Sequence, residues 1–262
     1  MKALLALLPL TVGALALVPQ ASAQVSAGVA TGTVVVVQAL PGPGVDVSID
    51  GRSVRQKTEV GAVLGPFSMA PGTHELTFTG AGTAVKTKID VGAGSSSDVV
   101  LHRPASVNGE PVVNTYVTPT APIGPGKARL LLAHTATVAP ADVSFDGSVV
   151  FRDIANGEFA QADVPAGSHR VALLPTGLTA DPILGPLQVT LAARTVTMVY
   201  AVGNPSDKSM KAIVHTVDLP TDGSTAPETI KTGSAGLAGG IPVDPFGARV
   251  ASRSARGQHP VR

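Results

Sequence analysis

His134, Asp142 and Asp146 are of the kinds that ligate metals or carry protons, and they share one short stretch. A transition-metal site wants two or three convergent His or carboxylate ligands, and only one His is near here. The two Asp residues stand four apart in an alternating segment, which puts both on the outward, polar face of a strand. Asp146 precedes Gly147, so its plain role is to shape a hairpin. Asp142 is expected to bond backbone in the preceding Pro-containing loop. The three remain weak metal candidates, and no metal or cofactor is expected. His74 and His169 occupy equivalent places at strand starts, where a side chain sits at the surface or pairs across the strand. Asp90 and Asp98 flank a Gly/Ser-rich loop at 92–97, but a calcium loop wants a denser run of oxygen ligands. The chain has no Gly-x-Ser-x-Gly elbow, no His-Glu-x-x-His helix and no phosphate-binding Gly loop. Hence no catalytic or cofactor-binding residue is assigned.

The elements that must position these residues come twice. Val45-Asp46-Val47-Ser48-Ile49-Asp50-Gly51 returns as Ala141-Asp142-Val143-Ser144-Phe145-Asp146-Gly147, and Ala70-Pro71-Gly72-Thr73-His74 returns as Pro165-Ala166-Gly167-Ser168-His169. The spacing is roughly one small domain, longer than the 20–50 residues of a solenoid repeat. Apolar and polar residues alternate with period two, as in a half-buried antiparallel strand. Val143 and Phe145 face inward and Ser144 outward. Asp-Gly pairs then turn the chain, since both tolerate positive φ in a tight hairpin. Strands are predicted at 33–39, 45–50, 52–54, 63–68, 73–79, 84–91, 97–102 and 111–117. The second copy gives 128–134, 141–146, 148–151, 158–163, 168–174, 187–192, 195–202 and 210–217. The fold class is therefore all-β: two tandem Ig-like, Greek-key β-sandwiches.

The ends read differently. Residues 1–23 form a secretory signal, with Lys2, an apolar run and a small-x-small cleavage site at Ala21-Ser22-Ala23 that makes Gln24 the mature N-terminus. A membrane anchor is the alternative, but Pro9 and Gly13 interrupt a run shorter than the about 20 residues a span needs. A leader at 24–31 precedes repeat 1 at 32–118. A stiff Pro/Gly linker at 119–126 joins it to repeat 2 at 127–218, and limited proteolysis is expected to cut there. Residues 219–262 lack alternation, are rich in Gly and Ala and end in arginines, as in a disordered basic tail. Leu219-Pro220-Thr221-Asp222-Gly223 superficially resembles a sortase signal, but its residue order and the missing hydrophobic tail argue against wall anchoring. The chain has no Cys, so burial rather than disulfides must hold each repeat. Net charge is +1, with no concentrated basic surface for nucleic acid.

Arg129 to His134, Pro140 to Gly147, Pro165 to His169 and Thr195 to Gly203 together resemble the bacterial domain of unknown function 4397. Its marks are a strand ending in His, a Pro-x-Asp-Val-x-x-Asp-Gly hairpin and a Pro-Ala-Gly turn. The second repeat carries the better match; in the first, Gln38 or a neighbour replaces the strand-ending His. The rhythm is also similar, more distantly, to PEGA modules. The resemblance implies tandem sandwiches on secreted or surface proteins and supplies no chemistry. The expected function is a non-enzymatic adhesion, scaffold or interaction module, secreted or held at the cell envelope. It would meet an envelope protein or polymer, with no nucleic acid and no transmembrane anchor in the mature chain. A carbohydrate- or wall-polymer-binding module is the alternative, limited by the few aromatics available for a sugar platform. A hydrolase ranks last, because catalysis needs a positioned nucleophile, base and stabiliser.

Overall fold

The computed structural model describes residues 30–80, 82–219 and 232–233. The signal segment with Ala23 and Gln24, and nearly all of the expected tail, lie outside the described residues.

The first repeat contains β1 (Gly32–Gln38), β2 (Val45–Ile49), β3 (Arg52–Thr58), β4 (Val63–Met69), β5 (Gly72–Gly80), β6 (Thr83–Val91), β7 (Ser96–His102) and β8 (Val112–Val117). The second contains β9 (Lys127–His134), β10 (Ala141–Phe145), β11 (Ser148–Ile154), β12 (Phe159–Pro165), β13 (Gly167–Pro175), β14 (Leu184–Leu191), β15 (Thr195–Val202) and β16 (Lys211–Asp218). A two-residue strand, β17 (Thr232–Gly233), follows. The described residues form no α-helix, only one 3-10 turn at Pro205–Asp207. The protein is all-β, and its sheets stack as sandwiches.

In the first repeat the sheets run β4-β1-β7-β8 and β3-β2-β5-β6. In the second they run β16-β15-β9-β12-β17 and β11-β10-β13-β14. Renumbering the second repeat from β9 reproduces the connectivity of the first. In each, one central pair is parallel: β1 with β7, and β9 with β15. Both departures from the antiparallel expectation lie where the sequence does not alternate. Strands β1 (GTVVVVQ), β9 (KARLLLAH) and β15 (TVTMVYAV) are almost continuously apolar. Such runs mark strands buried on both faces.

Three apolar cores result. Val34, Val36, Val47, Leu76 and Phe78 pack inside the first sandwich. Leu130, Leu132, Val143, Phe145 and Leu173 pack inside the second. The third lies between the repeats, where Val35, Val37 and Tyr116 meet Leu131, Ala133, Met198 and Tyr200. Neighbouring residues of β1 and β9 thus point to different cores, as the pleat requires. The sheet orders and this shared core make a four-layered molecule.

The stiff linker is also drawn in. Ile123 is buried in the shared core. Arg129 Nη1 donates to the carbonyls of Pro119 and Ala121 at 2.9 and 2.7 Å. Its other nitrogens make a bidentate pair with Asp163 at 2.6 and 2.8 Å. The linker is thus pinned at two carbonyls, and those bonds must open before a protease can take it up. The tail boundary also moves. Leu219 is buried in the shared core, and its N–H donates to the Arg194 carbonyl at 2.8 Å. Thr232 and Gly233 pair with Ala160 and Phe159 on the edge of β12.

Candidate functional site

The repeated Asp-Gly and Gly-x-His motifs meet in space. Asp50 and Gly51 both have positive φ (49° and 74°), giving the two-residue hairpin between Ile49 and Arg52. The turn aims the Asp50 carboxylate at the start of β5. Oδ1 accepts the Glu75 N–H at 3.0 Å, and Oδ2 lies 2.7 Å from His74 Nδ1. The other ring nitrogen, Nε2, lies 2.8 Å from the Ala70 carbonyl. Both ring partners are acceptors, so the pair of bonds needs both ring protons. The Asp50 hydrogen bond, then the Ala70 carbonyl, raises the His74 pKa above its usual value. The same hydrogen bond holds Asp50 below the carboxylate range.

The second repeat builds the same clip. Asp146 Oδ1 accepts the Arg170 N–H at 2.9 Å, and Oδ2 lies 2.8 Å from His169 Nδ1. His169 Nε2 lies 2.9 Å from the Pro165 carbonyl. The hydrogen bond from His169 lowers the Asp146 pKa. The Phe145 ring lies against this imidazole, centroids 4.5 Å apart. Gly72 and Gly167, with φ of 137° and 140°, bend the chain back so that the His can reach the hairpin. Only glycine adopts that conformation without strain.

The first Asp of each repeated heptapeptide has another local task. Asp46 Oδ1 accepts the Lys57 N–H and Asp142 Oδ1 the Asp153 N–H, each at 2.8 Å. Lys57 and Asp153 are left-handed residues at φ 48° and 55°, where the register shifts by a bulge. Asp142 is buried rather than outward. It bonds not to the preceding loop but to the bulge, to the Gly177 N–H at 3.1 Å and to Arg152 Nη1 at 3.4 Å. The weak candidates therefore go to separate networks: Asp142 to the bulge, Asp146 to His169, and His134 to a buried turn. Among the described residues no group of three or more His, Cys, Asp or Glu is placed to hold a metal ion.

Two polar clusters in the contact between the repeats were not read from the sequence. At one, Asp98 from β7 is fully buried. Its Oδ2 accepts from Tyr200 Oη at 2.8 Å and lies 2.8 Å from His215 Nδ1. Its Oδ1 has no protein partner. At the other, His102 and His134 are both fully buried, and burial lowers both pKa values. Asn156 Nδ2 donates to the carbonyls of Arg103 and Ala136 at 3.1 and 2.7 Å, which ties the repeats together. Tyr116 Oη donates to the Gly157 carbonyl at 3.1 Å, and burial pushes this phenol well above its usual range. The available signal was a lone Asp or His set in an apolar run, as in Ser-Ser-Asp-Val-Val-Leu-His.

The fold and these bonds define a tandem β-sandwich protein whose repeated polar motifs lock turns and bulges. Residues 32–141 match the family model of a domain of unknown function, DUF4397. The match spans the first repeat, the linker and β9, whereas the sequence motifs placed the nearer resemblance on the second repeat. No curated protein matches the chain.

Proposed function

We propose that this is an exported, non-enzymatic protein of the cell envelope or its surroundings, acting as an adhesion, scaffold or interaction module. We further infer that its second repeat is another copy of the domain matched in the first. One observation carries the reading. The acids and imidazoles that both repeats share, Asp46, Asp50 and His74 with Asp142, Asp146 and His169, all bond backbone or each other within their own sandwich. A duplicated chemistry of this kind serves the scaffold. Sheet orders that match apart from the added edge strand β17 support the second inference. The sugar-platform alternative loses support, because Tyr116 and Tyr200 are buried in the shared core and offer no exposed stacking face.

The test is sedimentation of the purified mature chain with purified peptidoglycan sacculi and, separately, with isolated wall polysaccharide and envelope protein. Saturable binding to one of these, with no cleavage of it, is expected. Turnover of wall-derived esters, glycosides or peptides would contradict the non-enzymatic reading. N-terminal sequencing of the exported form should give Gln24.

A further inference from the structure

We propose that the contact between the two sandwiches is a pH-sensitive joint, in which protonation of His134, with His102 beside it, loosens the packing around Tyr116. His134 closes β9 in one repeat and His102 closes β7 in the other. Both are fully buried. The bonding at His134 fixes a neutral ring. Nδ1 accepts the Ala136 N–H at 3.3 Å while Nε2 donates to the Ala139 carbonyl at 3.1 Å. A proton on Nδ1 cannot coexist with that N–H, so protonation breaks the bond and leaves a buried donor unpaired. At His102, Nδ1 donates to the Arg103 carbonyl at 2.7 Å, and Nε2 lies 2.8 Å from Asn114 Oδ1. Both partners are acceptors as placed, so a neutral His102 ring requires the Asn114 amide to be turned over, which sets its N–H against Nε2. The ring whose bonding by itself fixes the neutral form is that of His134.

The charges around the pair work in both directions. Desolvation is the largest influence on His134 and lowers its pKa. The bond to the Ala139 carbonyl raises it, charge on His102 lowers it, and the Glu158 carboxylate raises it again. Glu158 is partly occupied in accepting the Ala155 N–H at 3.0 Å. Arg103 reaches the Gly109 carbonyl at 3.4 Å and supplies no negative charge. The other titratable pair in the contact, Asp98 with His215, belongs to the Tyr200 cluster. The sign follows from linkage. A buried imidazole whose folded pKa is depressed contributes stability above the unfolded value of 6.5, and that contribution is lost as pH falls through 6.5 toward the folded value. Both rings act in this sense, one from each repeat. The bonds lost on charging are those around Ala136, whose carbonyl also accepts from the bridging Asn156.

The molecule carries its own reporter. It has two tyrosines and no tryptophan, and both tyrosines sit in the shared core. Tyrosine fluorescence of the full chain, followed from pH 8 downward, should show a reversible transition with its midpoint below 6.5. The β-sheet circular dichroism should stay constant across it. In H102Q/H134Q the transition should vanish, while H74Q, distant from the joint, should keep it. A double variant that retains the wild-type transition overturns the proposal, as does a wild type whose tyrosine signal is flat until the sheets unfold. Should the double variant fail to fold, proton NMR of the wild-type chain decides. The His102 and His134 ring signals must titrate together with those of Tyr116, and titration without any response at Tyr116 overturns the joint.

Discussion

His74 shows how one side chain gives a turn a pH dependence opposite in sign to that of the joint. Its ring needs both protons to satisfy Asp50 and Ala70. Its folded pKa is raised, so the clip's contribution is complete below the unfolded value of 6.5 and disappears as pH rises through the folded value. Asp50 sets the acid limit. Its folded pKa is depressed, so its contribution is present above 3.8 and is lost as pH falls through the folded value. The clip should therefore be strongest between about pH 4 and 6.5, the interval set by these two unfolded values. D50N should flatten the alkaline side of a melting-versus-pH curve relative to wild type. An unchanged slope would mean that the clip carries no net charge coupling. Asp98 makes a second prediction at this scale. A buried carboxylate holding Tyr200 and His215 leaves both unpaired when removed, and breaking such a pair costs about 3–5 kcal/mol. D98A should lower the melting temperature far more than D90A, since Asp90 is exposed and bonds only Thr73. Equal losses in a melting comparison would remove Asp98 from its place in the contact.

Strands were legible where the alternation was clean. The segment Val143-Ser144-Phe145 puts Val143 and Phe145 in the core and leaves Ser144 half-buried on the other face. An unpaired buried carboxylate costs several kcal/mol against a domain stability of roughly 5–15 kcal/mol. V143D and F145D should therefore unfold the second sandwich, and S144D should change its melting little. Equal effects at the three positions would refute the register. The hairpin role of Asp50 and Asp146 was also legible, because Asp-Gly has few other uses between alternating strands. Their bonds to His74 and His169 were not. Nothing local in a strand's period says that a turn twenty-odd residues upstream will be brought beside it. Only the joint recurrence of both motifs carried that signal. The inward turn of Asp142 was hidden for a related reason. A bulge on the neighbouring strand exposes an N–H that calls for a buried acceptor, and bulges leave little trace in sequence. Gly72 and Gly167 belong to this scale as well. G167A should cost about 1–3 kcal/mol, the usual penalty for forcing a side chain into such a conformation. A melting temperature equal to wild type would show that the bend tolerates a Cβ.

For the whole molecule, the consequence is that the repeats are not independent bodies joined by a tether. Val35, Val37, Leu131, Ala133, Met198 and both tyrosines turn their side chains into a common core. Fully burying a Val or Leu side chain is worth roughly 1.5–3 kcal/mol, so separating the repeats exposes enough to rival the stability of either sandwich. Ile123 and Leu219 add the linker and the chain after β16 to the same core. The sequence contained this in its unbroken apolar strands, which a search for alternation alone passes over. The most direct test is scanning calorimetry of the full chain at neutral pH. A shared core predicts a single cooperative transition, with calorimetric and van't Hoff enthalpies equal. Two separate transitions, each matching a repeat expressed alone, would contradict it.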